Sequence, residues 1–244
     1  MGSKPKIKIG SLISGGGTNL QAILDSCGQN KIDAVMHFTG SDNPDAKGLK
    51  RAEKANVETF VVDYPKIIKS LRTDPVNTEL PDDFVLEKIK NTQKLFSDSA
   101  SSEKIDFFLK SRAIAEKQVL DHILPYSIDL LVLAGFMRTM TPYFIDRFCN
   151  SASKPKIMNI HPALLPSFPG TDGYGDTFKY GCKIGGCTVH FIDYGEDTGP
   201  ILGQKAFSIE DNDTLEDIKR KGLELEWQLF PECIQEFAES RKNQ

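Results

Sequence analysis

No stretch of this chain is long and apolar enough to cross a bilayer. The longest apolar run, Leu130-Leu131-Val132-Leu133-Ala134-Gly135-Phe136-Met137, falls well short of a span and reads as a buried parallel strand. No charge of one sign dominates either. With 30 basic against 34 acidic residues the net charge is −4, which gives no footprint for nucleic acid or an anionic membrane surface, so an anionic ligand has to be held locally. Met1-Gly2-Ser3-Lys4 lacks an apolar signal core, and Lys6 stands where a myristoylation motif wants Ser or Thr. Cysteine is sparse: Cys27, Cys149, Cys182, Cys187 and Cys233 are odd in number and widely spread, the pattern of reduced thiols in an intracellular protein, and a cytoplasmic location is expected. Cys182, Cys187 and His190 do not make a metal site on this reading. Cys187 and His190 are three apart on an apparent strand and point to opposite faces, so no metal is expected.

What is present is a substantial hydrophobic fraction, 39% of 244 residues, enough for one α/β domain over 1–244. Residues 6–13 alternate and then turn apolar, like a strand. Ser14-Gly15-Gly16-Gly17-Thr18-Asn19 follows, and Leu20, Ile23 and Leu24 begin a helical pattern. Residues 34–39 and 57–62 read as further strands around a helix over 46–55. The alternation resumes with a helix at 114–124, a strand at 128–134, a helix at 142–148 and a strand at 157–160. Strands at 187–192 and 201–207 come later, after a loop rich in Pro and Gly. Such an order predicts right-handed βαβ units and a mostly parallel sheet with helices on both faces. The pattern breaks over 65–110, a polar segment that looks like an insertion, with a surface helix over 84–95, its most mobile part at 97–103 and no chemistry of its own. Thr214 and Asp217 have capping-box spacing at the start of a last helix, which Pro231 is expected to kink or interrupt.

Four features carry candidate chemistry. Asn159 and His161, two apart on a short strand that runs into Pro162, project to the same side and can face one bound carbonyl. An amide N–H and a protonated imidazole suit a developing oxyanion, and a carboxylate such as Asp197, in the turn Gly195-Glu196-Asp197-Thr198-Gly199-Pro200, would orient the imidazole. No nucleophile accompanies them, so direct acyl transfer between two substrates is the implied chemistry. The Gly-rich turn with Thr18 and Asn19 can cradle a phosphate at a helix N-terminus or be only a tight turn. It is not a dinucleotide fingerprint, because Leu20 stands at the third glycine, and no P-loop Lys follows. Glu226 shares a helical stripe with Gly222, Phe230, Cys233 and Phe237, which places a carboxylate on the core side, either in an ion pair or holding ligand hydroxyls or an Arg. Arg112 is either a solvated side chain or a phosphate fork.

Taken together, Ile13-Ser14-Gly15-Gly16-Gly17-Thr18-Asn19-Leu20-Gln21-Ala22-Ile23, Leu133-Ala134-Gly135-Phe136-Met137-Arg138, Asn159-Ile160-His161-Pro162-Ala163-Leu164-Leu165-Pro166, and Gly186-Cys187-Thr188-Val189-His190-Phe191 with Asp197-Thr198-Gly199-Pro200 resemble the glycinamide ribonucleotide formyltransferases of purine synthesis. The resemblance covers most of the chain outside 65–110. It implies a Rossmann-like formyltransferase fold, 10-formyltetrahydrofolate as co-substrate, and the amine of 5-phosphoribosylglycinamide as acceptor. It implies catalytic places for Asn159, His161 and Asp197, and a ribonucleotide phosphate end at Gly16, Gly17, Thr18, Asn19, Arg112 and Glu226. The folate side falls on Met137, Arg138, Thr139, Met140, Asp193 and Tyr194. Partners are then small molecules, with no nucleic acid and no membrane, and a homo-oligomer is left open. The loop Gly170-Thr171-Asp172-Gly173-Tyr174-Gly175 departs from relatives that carry a His after Leu-Leu-Pro. Rival readings are a formyltetrahydrofolate hydrolase, a formyltransferase acting on methionyl-tRNA or a sugar amine, and a noncatalytic sensor of a phosphate ligand.

Overall fold

The computed structural model describes residues 6–96, 100–150 and 156–242. Seven strands form one sheet in the order β3-β2-β1-β4-β5-β6-β7: β1 (Ile7–Ile13), β2 (Ala34–Ser41), β3 (Glu58–Val61), β4 (Leu130–Leu133), β5 (Lys156–His161), β6 (Ile184–Phe191) and β7 (Ile201–Ser208). β1 to β5 pair in parallel, and β6 and β7 are antiparallel additions. All four residues of β4 are buried, because helices cover both faces and leave no polar side for the strand to present.

One face carries α1 (Thr18–Gly28), α2 (Lys47–Lys54) and α8 (Leu215–Lys242), packed through Leu20, Ile23, Leu49, Phe230 and Ile234. The other carries α3 (Tyr64–Thr73), α4 (Leu86–Thr92), α5 (Ser102–Ile123) and α6 (Pro142–Cys149), packed through Tyr64, Leu109, Val119 and Phe144. The remaining helix, α7 (Gly173–Tyr180), packs on α8. Strand order reverses where β1 lies between β2 and β4, so the loops after β1 and β4 open a crevice at the carboxyl ends of the strands.

Several elements differ from the sequence expectation. α5 starts at Ser102, not 114, because its inward stripe is interrupted by Ser111, Arg112 and Glu116, which hide the apolar periodicity of Ile105 and Leu109. The expected mobile stretch 97–103 is therefore helical at Ser102 and Glu103, while 97–99 lie outside the described residues. The polar segment is built from α3, α4 and the first half of α5, docked on the sheet core by Tyr64, Ile89, Ile105 and Leu109. The Pro- and Gly-rich loop contains α7, whose Gly173 packs so tightly that a Cβ there would lie 2.6 Å from the Pro162 carbonyl oxygen. α8 begins with the expected capping box, Thr214 Oγ1 accepting from the Asp217 N–H at 3.2 Å and Asp217 Oδ2 from the Thr214 N–H at 3.1 Å. It then runs through Pro231 without a break. The missing N–H frees the carbonyl one turn back at half-exposed Trp227, while buried Leu229, Phe230, Cys233 and Ile234 hold the helix to the sheet.

Candidate active site

At the crevice lies a cleft of about 470 Å³. Its wall includes Gly16, Gly17, Thr18 and Asn19 from the first loop and helix, Met137, Arg138, Thr139 and Met140 from the loop after β4, Asn159 and His161 from β5, and Asp197 and Glu226. Twelve of the fifteen site residues expected from the sequence are thus on one surface.

Asn159 and His161 occupy alternate positions on β5 and so share a face. Their antiparallel partners on β6 are His190 and Thr188. His161 is buried, with Nδ1 3.2 Å from Asp197 Oδ2 and Nε2 2.8 Å from the Phe168 carbonyl oxygen. Both ring nitrogens therefore face acceptors, an environment a doubly protonated ring can satisfy on both sides. Asp197 Oδ2 also accepts the Gly170 N–H at 2.8 Å. Burial works to raise the Asp197 carboxyl, but the hydrogen bonds from His190 and Gly170 and attraction to His161 hold it below the ordinary carboxylate range.

His190 is the residue that sequence reasoning missed. It is fully buried, its Nδ1 lies 3.0 Å from the Phe191 carbonyl oxygen, and its Nε2 lies 3.2 Å from Asn159 Nδ2 and 3.5 Å from Asp197 Oδ1. In the neutral ring Nε2 accepts from the Asn159 amide; in the charged ring it donates to Asp197. The signal lay in the apolar β6 run, but only the register with β5 brings His190 to Asn159. Cys187 faces the opposite core, packed among the α8 residues. Among the described residues no group of three or more His, Cys, Asp or Glu is arranged to hold a metal ion.

At the other end, Gly17 is the N-cap of α1 at φ 70, and no side chain caps the helix. Its amides are left for a ligand, and the helix dipole favours an anion there. A Cβ on Gly17 would meet Gly48 Cα at 2.7 Å, so both the backbone angle and the space demand glycine. Arg51, also missed, donates from Nε to the Gly16 carbonyl at 2.8 Å, and Lys219 on α8 lines the same end of the cleft. Glu226 accepts from Asn19 Nδ2 and from the Tyr174 hydroxyl, each at 2.6 Å. Burial pushes its carboxyl up, while those two bonds pull it back. The Tyr174 ring reaches Glu226 by crossing Gly222, where a Cβ would lie 2.1 Å from Cζ. Asn19 thus gives an amide N–H to Glu226 and keeps a buried Oδ1 with no partner.

Three of the expected residues do not line the cleft. Arg112 does not sit with the glycine loop: it is buried on α5, its guanidinium 4.6 Å from the Phe108 ring and 5.3 Å from the Tyr64 ring, beside Arg138 and Asp42. Burial lowers its pKa, opposed by attraction to Tyr64 and Glu116. Asp193 and Tyr194 lie behind the cleft wall, which Ile192, Gly195 and Glu196 supply instead. Asp193 closes its own loop by accepting from the Gly195 N–H at 3.0 Å and the Thr198 hydroxyl at 2.7 Å, and the Tyr194 hydroxyl donates to Asp146 on α6.

The formyl transferase family profile matches residues 7–234. The chain belongs to the formyl transferase family. Among curated members of that family, the phosphoribosylglycinamide formyltransferase of Bacillus subtilis is 30% identical over 230 residues, 94% of each chain, and that of Haemophilus influenzae is 31% identical over 96% of this chain and 88% of its own. The crystal structure of glycinamide ribonucleotide transformylase 1 from Symbiobacterium toebii superposes with a TM-score of 0.73 at 34% identity, over 98% of this chain and 91% of that one. The Rossmann-like formyltransferase fold expected from the motifs is the fold observed. Among the described residues no helix is long and apolar enough to cross a membrane.

Proposed function

We propose that this formyltransferase transfers a formyl group from 10-formyltetrahydrofolate to the amine of 5-phosphoribosylglycinamide in de novo purine biosynthesis. The observation that carries the reading is the convergence of an amide, an imidazole and a carboxylate, Asn159, His161 and Asp197, on a cleft whose far end is an uncapped helix N-terminus. Asn159 and charged His161 stabilise the oxyanion that forms when the neutral amine attacks the formyl carbon. Asp197 orients His161. As the tetrahedral intermediate collapses, the amine loses a proton and the folate nitrogen gains one, relayed by water between Asp197 and His161.

The α1 amides, Gly16, Gly17 and Thr18 take the phosphate, with Lys219 supplying positive charge on that wall. Glu226 accepts from ligand hydroxyls. Met137, Arg138, Thr139 and Met140 form the folate side, where buried Phe136 and Met140 suit a flat ring. A cytoplasmic setting agrees with five free cysteines. The experiment is to incubate the protein with 10-formyltetrahydrofolate with and without 5-phosphoribosylglycinamide. Formylated amine formed only when both are present is the expected result; formate released regardless of the amine would replace this reading with a hydrolase.

A further inference from the structure

We propose that the turn at 93–96, in the polar segment, is the positioning strap that holds Asp197 against His161, and that it acts through the main chain of Lys94. The inference rests on Asp197 being the group that orients His161. Lys94 is bridged to Gly195 as an isolated parallel pair, its N–H donating to the Tyr194 carbonyl at 2.9 Å. The same Tyr194 is held at its other end by Asp146. Three residues on, Asp197 stands at φ 53, a conformation an L residue keeps only where its surroundings hold it. The strap is itself built to be stiff. Gln93 Oε1 accepts the N–H groups of Leu95 at 2.6 Å and Phe96 at 3.0 Å, and Phe96 packs edge-on against Phe108 of α5 with 5.0 Å between centroids. α5, the turn and α6 thus grip the loop from outside the cleft, while its inner edge presents the carboxylate.

The position allows a clean test. Gln93 is already extended at φ −66 and ψ 150, the conformation a following proline wants, so Lys94→Pro removes the N–H without straining the residue before it, whereas Lys94→Ala keeps it. Turnover, both KM values, thermal unfolding and hydrogen exchange of the amides at 195–197 are compared. Lys94→Pro is expected to lower kcat by between about 10-fold and 100-fold through misplacement of Asp197. Exchange at 195–197 should rise, with the KM for 5-phosphoribosylglycinamide and the unfolding midpoint close to wild type. Lys94→Ala should match wild type throughout. Phe96→Ala, which frees the turn from α5, should repeat the exchange and kcat effects, and Phe96→Tyr should restore them; this pair decides the matter if Lys94→Pro does not fold. Unchanged exchange and kcat in Lys94→Pro or Phe96→Ala, or an equal loss in Lys94→Ala, would overturn the strap. If Asp197→Asn keeps wild-type turnover, the role given to Asp197 is wrong, and with it the positioning proposal, even where exchange rises.

Discussion

Two glutamates, one on each face of the sheet, are buried to nearly the same extent and live by different rules. Glu226 on α8 opens on the cleft, with side chains as its partners, Asn19 and Tyr174. Glu116 on α5 is sealed behind the sheet, and its partners are the N–H and hydroxyl of Thr141, at 2.8 and 2.6 Å. The first is part of the cleft wall. The second is fully satisfied and holds the first turn of α6, the helix that also carries Asp146 and grips the Tyr194 loop. Burial of a charge is therefore not by itself a sign of chemistry; what separates the two regions is whether the carboxyl borders a cleft.

The comparison breaks most sharply at the cleft. Asn159→Ala and His161→Ala should each lower kcat by on the order of 100-fold or more, because each removes an oxyanion donor, while the unfolding midpoint stays near wild type. Near-normal turnover in both folded variants would remove the cleft from the mechanism. Behind the sheet the effects should invert. Glu116→Ala strands the Thr141 N–H and leaves a void, which should cost about 2 kcal/mol or more in urea unfolding, with turnover per folded molecule largely kept.

A finer distinction comes from pH. Burial pushes the Glu116 carboxyl from 4.5 up to about 7 in the folded protein, offset in part by the Thr141 bonds. The native state holds a proton that the unfolded chain releases at lower pH, so the stability Glu116 contributes is complete below its unfolded value and is lost as pH rises through the folded one. Glu116→Gln, which mimics the protonated group, should therefore gain on wild type in thermal unfolding as pH is raised from about 5 to about 8. A constant difference across that window would show that Glu116 does not titrate there. Smallest of all, Lys183→Ala breaks an ion pair with Asp211 whose two ends are 73% and 94% exposed, and both stability and turnover should be indistinguishable from wild type.

The frame of the fold and much of the cleft were legible because they rest on local pattern. Asn159 and His161 needed only the two-residue period of a strand, the glycine-rich wall of the cleft only a turn between strand and helix, and Glu226 only its place on an apolar helical stripe. What could not be read depended on partners distant in sequence. His190 meets Asn159 through the β5–β6 register, 31 residues away. Arg112 read as a solvated side chain or a phosphate fork because nothing in its neighbourhood announces that Tyr64 and Phe108 will enclose it. The polar segment read as inert for the same reason: its link to the Asp197 loop is a main-chain contact, which no side chain encodes.

One omission of matter in α8 has reach beyond its own helix. Since Gly222 leaves the Tyr174 ring room to cross and touch Glu226, this end of the cleft is shaped by a methyl group that is not there. Restoring it would displace the Tyr174 ring, which lines the cleft, although Gly222 itself does not. Position 222 thus sets the shape of the cleft through a residue it supports and not through its own surface.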